Sequence, residues 1–309
     1  MLIRASGDLI ARDTDLGVTD VTRERIRRYA VAIGDDALAA GPCDVAPLGF
    51  ALAIRGGPIP EVETLPNTLS VHAGHVITAH RPLTAPAVYS ISARITDIFE
   101  KSGRSGALTV VARRAEIHAA DGSAAATIDD QQIVRKRRTA ADGAAESVPQ
   151  PSSAAAASFE APHGEPGAVN VSDPEVGDVV GPEGRAAPSP AAVAAYAAAL
   201  EEGGPRFFTD RTFARSLGYH DVIVPGPLQS ALLEALLRRQ LPGWDLRSLA
   251  VTFRVSVIAD EPIALSAVIV ERHPRPDGVG LVCDLSLENR HGERAALGSA
   301  QLFRRATLS

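Results

Sequence analysis

Apolar residues along this chain first recur at the spacing of an amphipathic helix. Thr22 can cap it, Ile26, Tyr29, Ala30 and Ile33 form its apolar face, and Gly34-Asp35 mark its end. The arrangement returns far downstream, where Ser189 caps, Pro190 starts, Val193, Tyr196, Ala197 and Leu200 form the face, and Glu201-Glu202 follow. After an irregular stretch each half has a second helical segment. The first is Pro47-Leu48-Gly49-Phe50-Ala51-Leu52-Ala53-Ile54; the second runs from Gly226-Pro227-Leu228 through Leu232, Leu233, Leu236 and Leu237 to Arg238-Arg239. The later helix is apolar on nearly every side until its last turn, as a helix enclosed by a sheet must be.

Strand patterns follow both helices. Val76 to Leu83 parallels Val251 to Val257, with Arg81 and Arg254 at like positions. Two long alternating runs come next in each half: Val88 to Ile98 and Ala107 to Ala119, then Ile263 to Arg272 and Val279 to Asn289. Turn signals separate them, and Asp121-Gly122 and His291-Gly292 lead into last strands, Ala124 to Val134 and Arg294 to Phe303. The pattern is helix, irregular segment, buried helix and a four-strand antiparallel meander, written twice. Between the copies, Thr139 to Gly167 is dominated by Ala, Ser, Pro, Gly and Glu and has neither period. It reads as a flexible linker between domains at 1–138 and 168–309. The expected class is α+β, with an antiparallel sheet wrapped around a buried helix in each half.

Composition narrows the partners. Among 309 residues, 31 Lys and Arg stand against 37 Asp and Glu, a formal charge of -6 that argues against nucleic acid. The one basic run, Arg135-Lys136-Arg137-Arg138, reads as a solvated strand end. Cys43 and Cys283 are too few and too far apart for a disulfide framework or a metal site, which fits a reducing cytoplasm. The charged stretch Met1 to Asp20 has no signal-peptide core, and no later segment approaches a membrane span.

The ordered motifs resemble the MaoC-like, R-specific enoyl-thioester hydratase superfamily in its tandem, double hot-dog form. In the first half the likeness rests on Tyr29-Ala30 to Gly34-Asp35, His72-Ala73-Gly74-His75 leading to Arg81-Pro82-Leu83, and Thr96 to Gly103. In the second it rests on Pro205, Asp210, Phe213-Ala214-Arg215, Gly218-Tyr219 and Val222 to Leu228. The resemblance implies reversible addition of water to an enoyl thioester of coenzyme A or a carrier protein, without a cofactor. It also implies a homodimer or a heteromer with another hot-dog chain. The chemistry needs an Asp and a His sharing one water, and a backbone N-H at the start of the buried helix to receive the thioester oxygen.

The usual segment reads Gly-Asp, Asn-Pro, His, then a second Asp, and this chain departs from it. In the second half Glu201-Glu202 replaces Gly-Asp, Gly204-Pro205 replaces Asn-Pro, and Phe208 stands two residues before Asp210, where the His is expected. In the first half Gly34-Asp35 is intact, yet only about a dozen residues separate Asp35 from Pro47, against roughly two dozen between Glu202 and Pro225. Asp35 and Glu202 are thus candidate proton-transfer groups or simply polar helix ends. Gly226, between Pro225 and Pro227, is the candidate oxyanion donor or a plain helix start. Phe208, Pro225 and His220 are candidates for the substrate site. Arg81 and Arg254 can hold a carrier phosphate or pair with neighbouring acids. Strict alternation puts His72 and His80 on one strand face and His75 on the other, where any of them could stand in for the missing His or be a structural histidine. A catalytically degenerate protein that binds acyl thioesters or stabilises an active partner is the competing reading.

Overall fold

The computed structural model describes residues 2–4, 10–59, 62–103, 106–137, 173–200 and 206–306. The expected linker, Thr139 to Gly167, and Glu202 lie outside them. Strands β1 (Ile3–Arg4) and β3 (Glu63–Thr64) pair as a small ribbon. The other ten strands form one sheet. They are β2 (Thr14–Val21), β4 (Thr68–Ala79), β5 (Ala87–Gly103), β6 (Gly106–Ala119), β7 (Ala124–Lys136), β8 (Val179–Ala186), β9 (Asp245–Phe253), β10 (Pro262–Arg275), β11 (Gly278–Glu288) and β12 (Arg294–Arg305).

Their order is β2-β5-β6-β7-β4-β9-β12-β11-β10-β8, so the second half repeats the first in mirror order about the β4 and β9 seam. That seam is antiparallel, from Gly74 opposite Thr252 to Thr78 opposite Ser248. Glycine is required there, because a Cβ on Gly74 would lie 2.7 Å from the carbonyl oxygen of Val251.

The helices follow the capping signals. Thr22 accepts the amide of Arg25 to open α1 (Arg23–Ile33), and left-handed Gly34 closes it at φ 70. Ser189 accepts the amide of Ala192 to open α4 (Pro190–Ala199). These two helices meet through Tyr29 and Tyr196, whose rings lie 5.8 Å apart. Asp35 caps α2 (Asp36–Ala40), and Asp210 caps α5 (Arg211–Ser216). The central helix of the second half, α6 (Gly226–Gln240), buries Leu228, Leu232, Leu233, Leu236 and Leu237 almost completely. At about 1.5–3 kcal/mol per buried leucine, this burial outweighs any difference in helix propensity.

The buried helix of the first half falls where expected and is short, a 3₁₀ turn at Leu48–Phe50 running into α3 (Ala51–Ile54), because Gly56-Gly57-Pro58 stop it. Three expectations are corrected. Among the described residues each half contributes five strands to the large sheet rather than four. The additional ones, β2 and β8, are sheet edges whose polar, half-exposed sequence carries no alternating apolar signal. The seam strands begin earlier than expected, so Arg81 and Arg254 follow β4 and β9 instead of lying within them. Arg135 is buried, not solvated, because β7 is paired there on both sides, with Leu69 and Leu108. No helix among the described residues is long and apolar enough to cross a membrane.

Candidate functional site

Among the leucines of α6 stand Ser230, Glu234 and Arg238, four residues apart and therefore on one face. Ser230 and Glu234 are fully enclosed. All three meet the first half of the chain. Ser230 meets His75, Glu234 meets the amides of Leu48 and Gly49, and Arg238 meets Asp35.

The first centre lies at the start of α6. Pro225 precedes Gly226 and Pro227 follows, and a first-turn amide such as that of Gly226 has no acceptor within its own helix. One turn further, Ser230 Oγ shares a hydrogen bond of 3.0 Å with His75 Nε2. His75 Nδ1 lies 3.0 Å from His72 Nε2. The two histidines share a face, against the alternation expected from sequence, because β4 carries an irregularity between His72 and Gly74 that shifts the ladder by one residue. His80 lies just beyond the strand, exposed, with Nε2 2.8 Å from Thr127 Oγ1.

Phe253 closes this centre. Its ring lies 5.8 Å from that of His72 and 5.7 Å from that of His75. A Cβ on Gly226 would come within 2.6 Å of the same ring, so the glycine makes room for Phe253. Behind His75, a polar row crosses three strands: Asp130 is the ladder partner of both His75 and Arg113. Asp130 also pairs with Arg55, at the end of α3. Burial pulls the His72 imidazole down to about 3, with help from the charges of Arg55 and Arg113. Burial likewise pulls His75 well below the ordinary histidine value, His72 and Arg55 adding to the effect and Asp130 opposing it. Both rings are therefore neutral near pH 7.

The second centre lies further along the same helix face. Glu234 accepts the amide of Leu48 at 2.6 Å and that of Gly49 at 2.7 Å. Burial raises its carboxyl above the usual carboxylate value, and the two amides and Arg238 oppose that shift. A Cβ on Gly49 would lie 2.8 Å from Glu234 Oε2 and 2.9 Å from the Tyr29 hydroxyl, so any side chain there would have to displace both. Arg238 holds Asp35 at 3.0 Å, and Asp35 also accepts the amide of Leu38 at 3.0 Å.

The two centres separate some of the residues singled out from sequence. Asp35 is buried but contacts α6 at Arg238, twelve residues from Gly226, or about 18 Å of helix. Phe208 ends a 3₁₀ turn (Arg206–Phe208) and packs on Phe207, ring centroids 4.4 Å apart. His220 is exposed and paired with Glu261 at 2.6 Å, which Arg290 also reaches at 3.0 Å. Arg81, in the connection from β4 to β5, binds Asp121 and Ser123 of the turn between β6 and β7. Half-buried Arg254 directly follows Phe253. Ser230, Glu234 and Asp130 were missed. The spacing of Ser230, Glu234 and Arg238 in a leucine-rich helix is the signal that could have found them.

Residues 8–128 match the family model of the FAS1-like dehydratase domain region. No curated protein matches the sequence. A solved MaoC-like dehydratase is 16% identical with a TM-score of 0.71, covering 97% of this chain and 99% of its own. The MaoC-like dehydratase from Phytophthora capsici is 14% identical with a TM-score of 0.63, covering 96% of each chain. A Mycobacterium tuberculosis protein with a double hotdog fold is 13% identical with a TM-score of 0.64, again covering 96% of each.

Proposed function

We propose that this chain, which has the double hot-dog fold of the MaoC-like dehydratases and a first half matching their FAS1-like dehydratase region, adds water reversibly to an enoyl thioester. One observation carries the reading. A neutral imidazole from the first half, His75, is hydrogen-bonded to Ser230 of the second half, one turn inside the helix whose first amide belongs to Gly226.

In this reading the thioester oxygen lies against the Gly226 amide, which stabilises the negative charge that builds there as water attacks the β-carbon. His75 Nε2 takes the proton from that water and returns it to the α-carbon as the enolate collapses, and His72 fixes the ring through Nδ1. Burial disfavours a charged His75; Asp130 beside it and the enolate oxygen forming nearby offset that cost. In this reading half-buried Arg254, next in sequence to the Phe253 that covers Gly226, holds a phosphate of coenzyme A or of a carrier-protein arm. Arg81 is less suited, because Asp121 and Ser123 occupy its guanidinium. The reading has the chain working in a reducing cytoplasm, in keeping with free, buried Cys43 and Cys283, and as a homodimer or beside another hot-dog chain.

A second reading, a thioester-binding or partner-stabilising protein without turnover, is favoured by two observations. Phe208 is packed on Phe207 near Asp210, where the family places its His, and Glu234 fills the amides that open the first half's short helix. Hydration of crotonyl-CoA, followed as loss of enoyl absorbance, separates the two. Turnover that falls about 10²–10⁴-fold in His75→Ala supports the first. Binding without turnover on any chain length supports the second, and full activity of His75→Ala removes His75 from the mechanism.

A further inference from the structure

We infer that Ser230 is a nucleophile, and that the chain also cleaves acyl thioesters to a free acid and a thiol. The inference rests on the proposed site in one respect, that the thioester carbonyl lies at the Gly226 amide. It does not require an enoyl double bond.

The geometry is that of an activated hydroxyl. Nucleophile and base are 3.0 Å apart, between Ser230 Oγ and His75 Nε2. The base is oriented in turn at 3.0 Å, between His75 Nδ1 and His72 Nε2. A hydroxyl, an imidazole that accepts its proton and a third group that sets the imidazole's tautomer form the arrangement nucleophilic catalysis needs. Asp130, the ladder neighbour of His75, favours the charged imidazole that proton transfer creates. The amide of Gly226, one helical turn before Ser230, is an oxyanion donor on the same element as the nucleophile. Water addition to an enoyl group needs only a base and an oxyanion donor. A buried serine held on that base is surplus to it.

The steps balance without any further reactant than water. Ser230 Oγ bonds to the carbonyl carbon while its proton passes to His75 Nε2. The tetrahedral oxyanion, held at the Gly226 amide, collapses and breaks the C–S bond. His75 returns the proton to the departing thiolate, leaving an acyl ester on Ser230. Water, deprotonated by His75, attacks that ester. The C–O bond to Ser230 breaks, the serine recovers its proton, and the carboxylic acid leaves.

Butyryl-CoA is the probe, because a saturated chain cannot be hydrated. Thiol release is read with a thiol-reactive dye, and the acylated chain by intact mass. The expected result is steady thiol release by the wild type, a fall of at least 10²-fold in Ser230→Ala, and a mass gain of one butyryl group in the Ser230→Cys chain. Circular dichroism establishes that Ser230→Ala is folded. Wild type that leaves butyryl-CoA intact, or Ser230→Ala that cleaves it as fast as wild type, overturns the inference. Crotonyl-CoA hydration is followed in parallel. Cleavage without hydration sinks the hydratase reading and leaves this one standing, and hydration without cleavage does the reverse.

Discussion

Glu234, in the middle of the second half's central helix, accepts the amide of Gly49 at 2.7 Å, and so joins the opening turn of the first half's short helix to its counterpart. The neighbouring Leu48 amide binds the same carboxylate. Glu234→Ala leaves two buried donors without an acceptor, and at about 1–3 kcal/mol for each unmet group the loss is roughly 2–6 kcal/mol. Urea unfolding at pH 7 measures it. A change below about 0.5 kcal/mol would mean that water satisfies the amides.

The same carboxyl gives a signed pH dependence. Its folded value lies above its unfolded one, so between the two the folded chain binds the extra proton. Its contribution is present below the ordinary carboxylate value and lost as pH rises through the raised value. Glu234→Gln removes this slope, which urea midpoints across weakly acidic pH detect. An unchanged slope would mean that Glu234 does not titrate differently on folding.

His72 and His75 act in the opposite direction. Both stay neutral in the folded chain well below 6.5, and His72 does so down to about 3. The unfolded chain takes up protons first, so stability falls as pH drops from 6.5 toward 3. His72→Gln makes the loss shallower. A curve parallel to wild type would show that the imidazole is not shielded as its surroundings dictate.

The ring of Phe253 lies directly over Gly226. Phe253→Ala removes the ring over the glycine and from both imidazoles, and costs about 3–5 kcal/mol if the space does not collapse. In exchange, longer acyl chains gain in kcat/KM relative to crotonyl-CoA. Gly226→Ala drives a methyl into that ring and lowers both stability and turnover. Steady-state kinetics over a chain-length series decides, and a uniform fall for every length would deny Phe253 a gating role.

Asp35→Asn separates position from residue type. The substitution keeps a cap for Leu38 but weakens the pair with Arg238, so stability drops while hydration stays within about threefold of wild type. Loss of turnover at unchanged stability would return Asp35 to the chemistry.

Much of the architecture is written locally and was therefore legible. The caps Thr22 and Ser189, the paired helices ending near Gly34 and Leu200, and the long alternating strands each show within a dozen or so residues. The edge strands β2 and β8 were not, because they pair on one side only and their exposed positions are polar. The site was less legible still. The hydrogen bond between His75 and Ser230 spans 155 positions, and a one-residue irregularity in β4, invisible to alternation, turns His72 toward it. Leucines dominate α6 so strongly that its polar stripe vanished into the apolar average. Asp35 and Gly226, both legible as motifs, belong to opposite ends of that helix.

The seam between β4 and β9 has one more implication. Two repeats that share a ladder in mid-sheet cannot be parted without baring one edge of β4 and one of β9, and the surface best shaped to cover each is the other repeat. The polypeptide thus carries its own mate. Either repeat made alone should seek a second molecule to complete itself, and two intact chains at high concentration have a ready way to trade repeats.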